Sequence, residues 1–239
     1  LIGVYPHSWD SELAIWPQKV DLVITRVPIR KKEGFSSKKF KEFSKKLFNS
    51  MEANSLAFLV CYAPTEDRTR PFEVCKLMAE SGFNHVDNII IEKTWIPGRR
   101  SEVNLVNAYD FVLFFSKGNK YQIDRTPVQE YLQAPYEILA KESKDQDFQM
   151  PTESGCIGNL WLVQTDSLED PISNDLADLL VLFSSVLPGS QIFDPFGGSK
   201  SLIKSASKLQ HSLTIFEGNP KKFKTLEETL IEINRKGAK

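Results

Sequence analysis

Asp194-Pro-Phe-Gly-Gly-Ser199 stands where an apolar run ends and a helix-forming run begins, a juncture at which chemistry can be done. The adjacent glycines Gly197 and Gly198 permit a tight turn and close approach of the backbone to a ligand. A helix starting there would offer free N–H groups and a positive dipole end to an anionic group. About twenty residues later a second apolar run ends at Glu217, whose carboxylate can accept hydrogen bonds from ribose hydroxyls, as in nucleotide-binding βαβ units. A plain strand-to-helix turn followed by a surface glutamate would give the same spacing, so spacing alone leaves both readings open.

A second concentration of chemistry is positive charge. Arg26, Arg30, Lys31, Lys32, Lys38, Lys39, Lys41, Lys45 and Lys46 fall within 21 residues, opposed only by Glu33 and Glu42, with Phe35 interleaved. Such a patch could neutralise phosphates and give salt-sensitive, sequence-independent affinity for nucleic acid. It could equally be the solvated face of a helix whose Phe40, Phe43 and Leu47 point inward. Trp95-Ile-Pro-Gly-Arg-Arg100 combines an aromatic ring for stacking with the guanidiniums of Arg99 and Arg100; a turn pinned by Pro97-Gly98 is the plainer account. His7, beside Trp9 and Asp10, reads as part of a surface loop. Cys61, Cys75 and Cys156 form no Cys-x-x-Cys pair and lie at no ligand spacing from His7, His85 or His211, so no metal site is expected.

These residues need a frame. Short apolar runs at 20–25, 55–63, 85–92, 107–117, 191–196 and 213–217 read as strands. Helical spacing appears over 36–52, 70–81, 174–185, 199–209 and 221–235. Strands alternating with helices argue for an α/β fold, a mostly parallel sheet covered on both faces. Ligands of such sheets sit beyond the carboxyl ends of the strands. The polar stretch 118–157, with Pro127, Pro135 and Pro151 and a short helix near 129–141, reads as an insertion. The expected organisation is one domain over 1–239, with halves at 1–117 and 158–239 on either side of it.

Composition sets outer bounds. The 239 residues carry 30 basic and 31 acidic side chains, so nucleic-acid contact must come from a local patch. No apolar run reaches the roughly 20 residues that span a bilayer, and no signal peptide is visible. Sparse cysteines suggest a reducing compartment and hence an intracellular protein, in cytoplasm or nucleus. The first residue is Leu rather than Met, as expected of a piece of a longer chain.

Asp194-Pro-Phe-Gly-Gly-Ser-Lys-Ser is similar to the Asp-Pro-Phe-x-Gly-Ser-Gly-Thr signature of DNA methyltransferases that act on exocyclic amines. Leu187-Pro-Gly-Ser-Gln-Ile-Phe-Asp resembles the family's lead-in to it, and Ile215-Phe-Glu-Gly-Asn-Pro its ribose-binding strand end. Trp161 and Glu169-Asp-Pro171 resemble its approach to the preceding helix. Asn107-Ala-Tyr-Asp-Phe-Val-Leu-Phe-Phe-Ser-Lys117 resembles its segment of tyrosine, acid, apolar strand and lysine. Ala79-Glu-Ser-Gly-Phe83 and the Ile-Glu-Lys ending at Lys93 also fit. Val20-Asp-Leu-Val-Ile-Thr25 looks like the strand carrying the catalytic motif; coming before the cofactor strand, it matches the family's permuted order. The resemblance implies a Rossmann-like methyltransferase fold and S-adenosylmethionine as cofactor. It implies Asp194, Pro195, Phe196, Gly197, Gly198, Ser199 and Glu217 as the residues that bind it. It also implies DNA as partner, and assembly as a homodimer or as a heteromer with an active methyltransferase.

The chain departs from the family at the chemical positions. The family's catalytic motif is Asp, Asn or Ser, then Pro-Pro, then an aromatic; the aligned residues are Arg26-Val27-Pro28-Ile29. A guanidinium has no acceptor for an amine's protons, and Ile29 offers no π-face to a flipped base. Lys200 replaces the second glycine of the cofactor signature, where a side chain is expected to be strained and to crowd the methionine portion. Gly3-Val4-Tyr5 stands where the family carries Gly-Asp. Three readings follow: an active methylase of adenine or cytosine exocyclic amines in DNA, a non-catalytic DNA-binding or regulatory subunit on the same fold, or a methyltransferase acting on RNA or protein, which the sequence does not separate from the first.

Overall fold

The computed structural model describes residues 1–28, 36–62, 68–93, 109–132, 158–163 and 172–237. Its strands are β1 (Ile2–Tyr5), β2 (Val20–Arg26), β3 (Met51–Tyr62), β4 (Asn84–Lys93), β5 (Tyr109–Ser116), β6 (Leu160–Val163), β7 (Gln191–Asp194) and β8 (Ser212–Phe216). Its helices are α1 (Ser37–Ser50), α2 (Arg70–Glu80), α3 (from 126, described to 132), α4 (Asn174–Phe183), α5 (Lys200–Lys208) and α6 (Pro220–Gly237). The eight strands form one sheet in the order β1-β8-β7-β2-β3-β5-β4-β6. All neighbours are parallel except β5, which runs antiparallel to both β3 and β4.

Period-two alternation along the central strands splits the core in two. Leu22 and Ile24 of β2 face Leu176, Leu180, Leu202, Ile203 and Leu226 of α4, α5 and α6. Val20 and Val23 face Phe40, Phe43 and Leu47 of α1 and Val74 and Met78 of α2. The result is a three-layer sandwich. Several helix ends have an identifiable stop or start. Ser173 and Ser199 accept hydrogen bonds from Leu176 N (3.2 Å) and Leu202 N (3.3 Å), capping α4 and α5. Lys117 Nζ donates to Phe48 O and Met51 O, both at 2.6 Å, and so neutralises the carboxyl end of α1.

The crossovers place the site. From β7 the chain passes through α5 to β8 on one side. From β2 it passes through α1 to β3 on the other, with α1 and α5 on opposite faces. The carboxyl ends of β7 and β2 therefore diverge at a topological switch point, where open α/β sheets bind ligands. In-register pairs Leu22↔Ile192 and Val23↔Phe193 bring Asp194 beside the end of β2.

Some sequence expectations need adjustment. β1 and β6 are strands that periodicity did not reveal: each is a four-residue edge strand, too short to show an alternation. The short helix starts at 126 rather than 129, and 133–157 lie outside the described residues. Glu217 follows β8 rather than ending it.

Candidate functional site

The site grows from the carboxyl end of β7. Asp194 is fully buried, and its Oδ1 accepts three hydrogen bonds: from Thr25 Oγ1 at 2.5 Å, Phe196 N at 3.2 Å and Gly197 N at 3.0 Å. Two of these fix the turn itself; the third ties it to β2. Its Oδ2 is buried with no hydrogen-bond partner. Burial pushes the carboxyl up to about 7, against the three hydrogen bonds that favour its charge, and the Glu217 carboxylate adds to the rise.

Gly197 and Gly198 both adopt left-handed backbone, φ +62° and +89°. Their reasons differ. A Cβ on Gly197 would lie 2.5 Å from Phe216 O and 3.0 Å from Glu217 Cβ, so the close approach that excludes a side chain is to β8 of the same chain. A Cβ on Gly198 would find nothing nearer than Lys222 Nζ at 3.5 Å and Glu217 Oε2 at 3.6 Å. Glu217 is buried; Oε1 accepts from Asn219 N at 2.7 Å and Oε2 borders the turn. Burial raises this carboxyl, while the Asn219 N–H and Lys222 oppose the rise.

The expectation of strain at Lys200 is corrected. Lys200 is the first residue of α5 and is not among the positive-φ residues, so the replaced glycine falls on helical backbone that any residue adopts. The left-handed turn is complete at Gly198. Pro195 is buried, and the Phe196 ring packs 4.6 Å from Phe43 of α1 and 6.4 Å from Trp9. Trp16, Phe193 and Phe216 extend this aromatic cluster beneath the turn.

β2 closes with Thr25, fully buried, and Arg26, and beyond it Val27 N donates to Val60 O at 3.0 Å. Arg26 thus stands one residue beyond the hydrogen bond to Asp194. Pro28 follows, half-buried. Ile29, Arg30, Lys31, Lys32, Trp95, Arg99 and Arg100 lie outside the described residues. Of the other lysines, Lys38, Lys45 and Lys46 are exposed on α1, whereas Lys39 pairs with Asp10 at 3.0 Å and Lys41 with Glu80 at 2.7 Å. The basic face is therefore partly neutralised by this chain's own acids. Among the described residues no group of three or more His, Cys, Asp or Glu is placed to hold a metal ion, and no helix is long and apolar enough to cross a membrane.

Sequence reasoning missed Thr25 as a site residue. Its partner Asp194 lies 169 residues away, so no local signal in the sequence marks it.

The fold has known counterparts. Three of the solved structures that share the fold are the following. M1.HpyAVI in complex with S-adenosylmethionine matches with TM-score 0.65 and 17% identity over 96% of this chain and 100% of that one. A Thermus thermophilus protein assigned as a DNA modification methylase, complexed with S-adenosyl-L-methionine, matches with TM-score 0.67 and 17% identity over 98% and 94%. The cytosine-N4-specific PvuII DNA methyltransferase matches with TM-score 0.66 and 14% identity over 97% and 92%. No curated protein matches by sequence. A family model described as DNA methylase matches residues 20–228, from the start of β2 to midway along α6, and the chain belongs to that DNA methylase family.

Proposed function

We propose that this chain keeps the cofactor turn of a DNA methylase and has lost the amine-methylating chemistry, acting as a DNA-binding or regulatory subunit on that fold. The observation that carries the reading is the register at the switch point. Thr25 bonds to Asp194 and the next residue of β2 is Arg26, which supports Arg26 as the residue at the acceptor position. A guanidinium can donate but cannot accept an amine's protons.

Features of the turn fit S-adenosylmethionine. Two glycines in left-handed backbone carry the main chain from the end of β7 directly into the amino end of α5 at the switch point. Glu217 after β8 is an acceptor for ribose hydroxyls, with Oε2 bordering the turn. The buried, partnerless Oδ2 of Asp194 is an acceptor still to be satisfied. Lys200, on helical backbone, does not distort the turn. When bound, the cofactor would supply an electrophilic methyl group; the residues around it here hold and orient, and none of them at the end of β2 takes up an amine proton.

The exposed Lys38, Lys45 and Lys46 on α1, close in sequence to the end of β2, support DNA as the partner. Incubation with tritiated S-adenosylmethionine and mixed-sequence DNA tests the loss of chemistry. No label should enter the DNA, with an active methylase as positive control; incorporation by the pure protein would overturn the reading.

A further inference from the structure

We propose that Thr25 is the positioning residue of the cofactor turn, its hydroxyl holding the Asp194 carboxylate and so locking the end of the catalytic strand to the glycine turn. This deepens the cofactor reading above and rests on it for its functional meaning.

Buried polar atoms need partners, and those of Asp194 are few. All polar support for its side chain converges on Oδ1, and two of the three donors, Phe196 N and Gly197 N, belong to the turn being positioned. The only donor among them from another strand is Thr25 Oγ1, 169 residues away in sequence. Thr25 and Asp194 are both fully buried, so water is no substitute for either partner. The main-chain ladder between β2 and β7 is short, with registered pairs only at Leu22 and Val23. The side-chain bond therefore carries the contact between these strands out to the level of the site. A β-branched side chain is stiff about χ1, which suits a donor that must be held in one direction.

The bond also favours the charged carboxylate, against burial and against the neighbouring Glu217 carboxylate. Ionisable groups on the surrounding elements include Asp21 and Arg26 on β2, Lys200, Lys204 and Lys208 on α5, and Lys221, Lys222 and Lys224 on α6; Lys222 stabilises the charge of Glu217. Removing the hydroxyl should leave Asp194 neutral to higher pH and loosen the turn it holds.

The test follows the carbon-13 carboxyl resonance of Asp194 through a pH titration of ligand-free protein labelled at aspartate, assigned with Asp194→Asn. Thr25→Val, near-isosteric and without the hydroxyl, should raise the midpoint by about one pH unit or more. Thr25→Ser, which keeps the hydroxyl, should titrate close to wild type. Should Thr25→Val fail to fold, Thr25→Cys, a weaker donor of similar size, gives the same readout with a smaller upward shift. A wild-type midpoint in Thr25→Val, or in Thr25→Cys where that is the variant used, overturns the proposal. Calorimetric titration with S-adenosylmethionine at pH 7 forms the second arm, where Thr25→Val should bind at least several-fold more weakly than Thr25→Ser. Binding unchanged by Thr25→Val would overturn the positioning role even if the midpoint moved. If wild type itself gives no heat while the midpoint shifts, the cofactor reading fails and the Thr25–Asp194 lock stands.

Discussion

Alanine at Gly197 and alanine at Gly198 are the same chemical change one residue apart, and the structure gives them different costs. Both positions are left-handed, which costs an L-residue roughly 1–2 kcal/mol. At Gly198 that is nearly all, since a new Cβ finds its nearest neighbour at 3.5 Å, the flexible end of Lys222. At Gly197 the Cβ would sit 2.5 Å from Phe216 O, a backbone atom at the end of β8 that is held by pairing on both sides. Either β8 or the turn must shift, an overpacking cost of about 1–3 kcal/mol more. A chain of 239 residues should lose about one degree of Tm per 0.5 kcal/mol. Scanning calorimetry should therefore show Gly198→Ala lower than wild type by about 2–4 °C and Gly197→Ala by about 4–10 °C. Equal shifts, or a Gly197→Ala protein at least as stable as Gly198→Ala, would refute the assignment of Gly197 to a clash with β8.

Other outcomes follow from particular residues. Asp194 is raised in the folded protein to about 7 from an ordinary 3.8, so it stabilises fully below pH 4 and loses that contribution as pH rises to 7. The loss amounts to about 4 kcal/mol at most, and urea titrations should show Asp194→Asn lacking that slope. Lys117→Met removes the donor to Phe48 O and Met51 O at the end of α1 and should cost about 1.5–3 kcal/mol in the same urea assay. Glutamine at Lys38, Lys45 and Lys46 together should flatten the salt dependence of DNA affinity, measured by fluorescence anisotropy, by about 0.9 log units per log unit of salt for each phosphate no longer neutralised. Glutamine at Lys39 and Lys41, already paired with Asp10 and Glu80, should change it far less.

Much of this was legible in the sequence because it depends on local pattern. The runs at 20–25 and 191–196 carry strands β2 and β7, although β7 stops at Asp194 where the turn begins, and the spacing from Asp194 to Glu217 survives at the switch point. β1 and β6 escaped detection because a strand of four residues at a sheet edge, buried on a fraction of its surface, leaves no period to read. The antiparallel run of β5 was also hidden: pairing direction is set by connections, not by the strand's own residues. Lys117 belonged to a recognised motif, yet its contacts are those of a helix cap. The strain expected at Lys200 failed for a geometric reason, since the turn finishes before the helix claims position 200. Thr25 went unnoticed because its partner is 169 residues distant and only the folded sheet brings them together.

The central claim is that the turn from Asp194 to Ser199, with Glu217, still holds the cofactor although β2 no longer presents an acceptor. Isothermal titration of the wild-type protein with S-adenosylmethionine at pH 7 tests it most directly. Saturable 1:1 binding is predicted, weakened by Glu217→Ala and unaffected by Arg26→Ala. No heat at millimolar cofactor, or binding indifferent to Glu217→Ala, would contradict it.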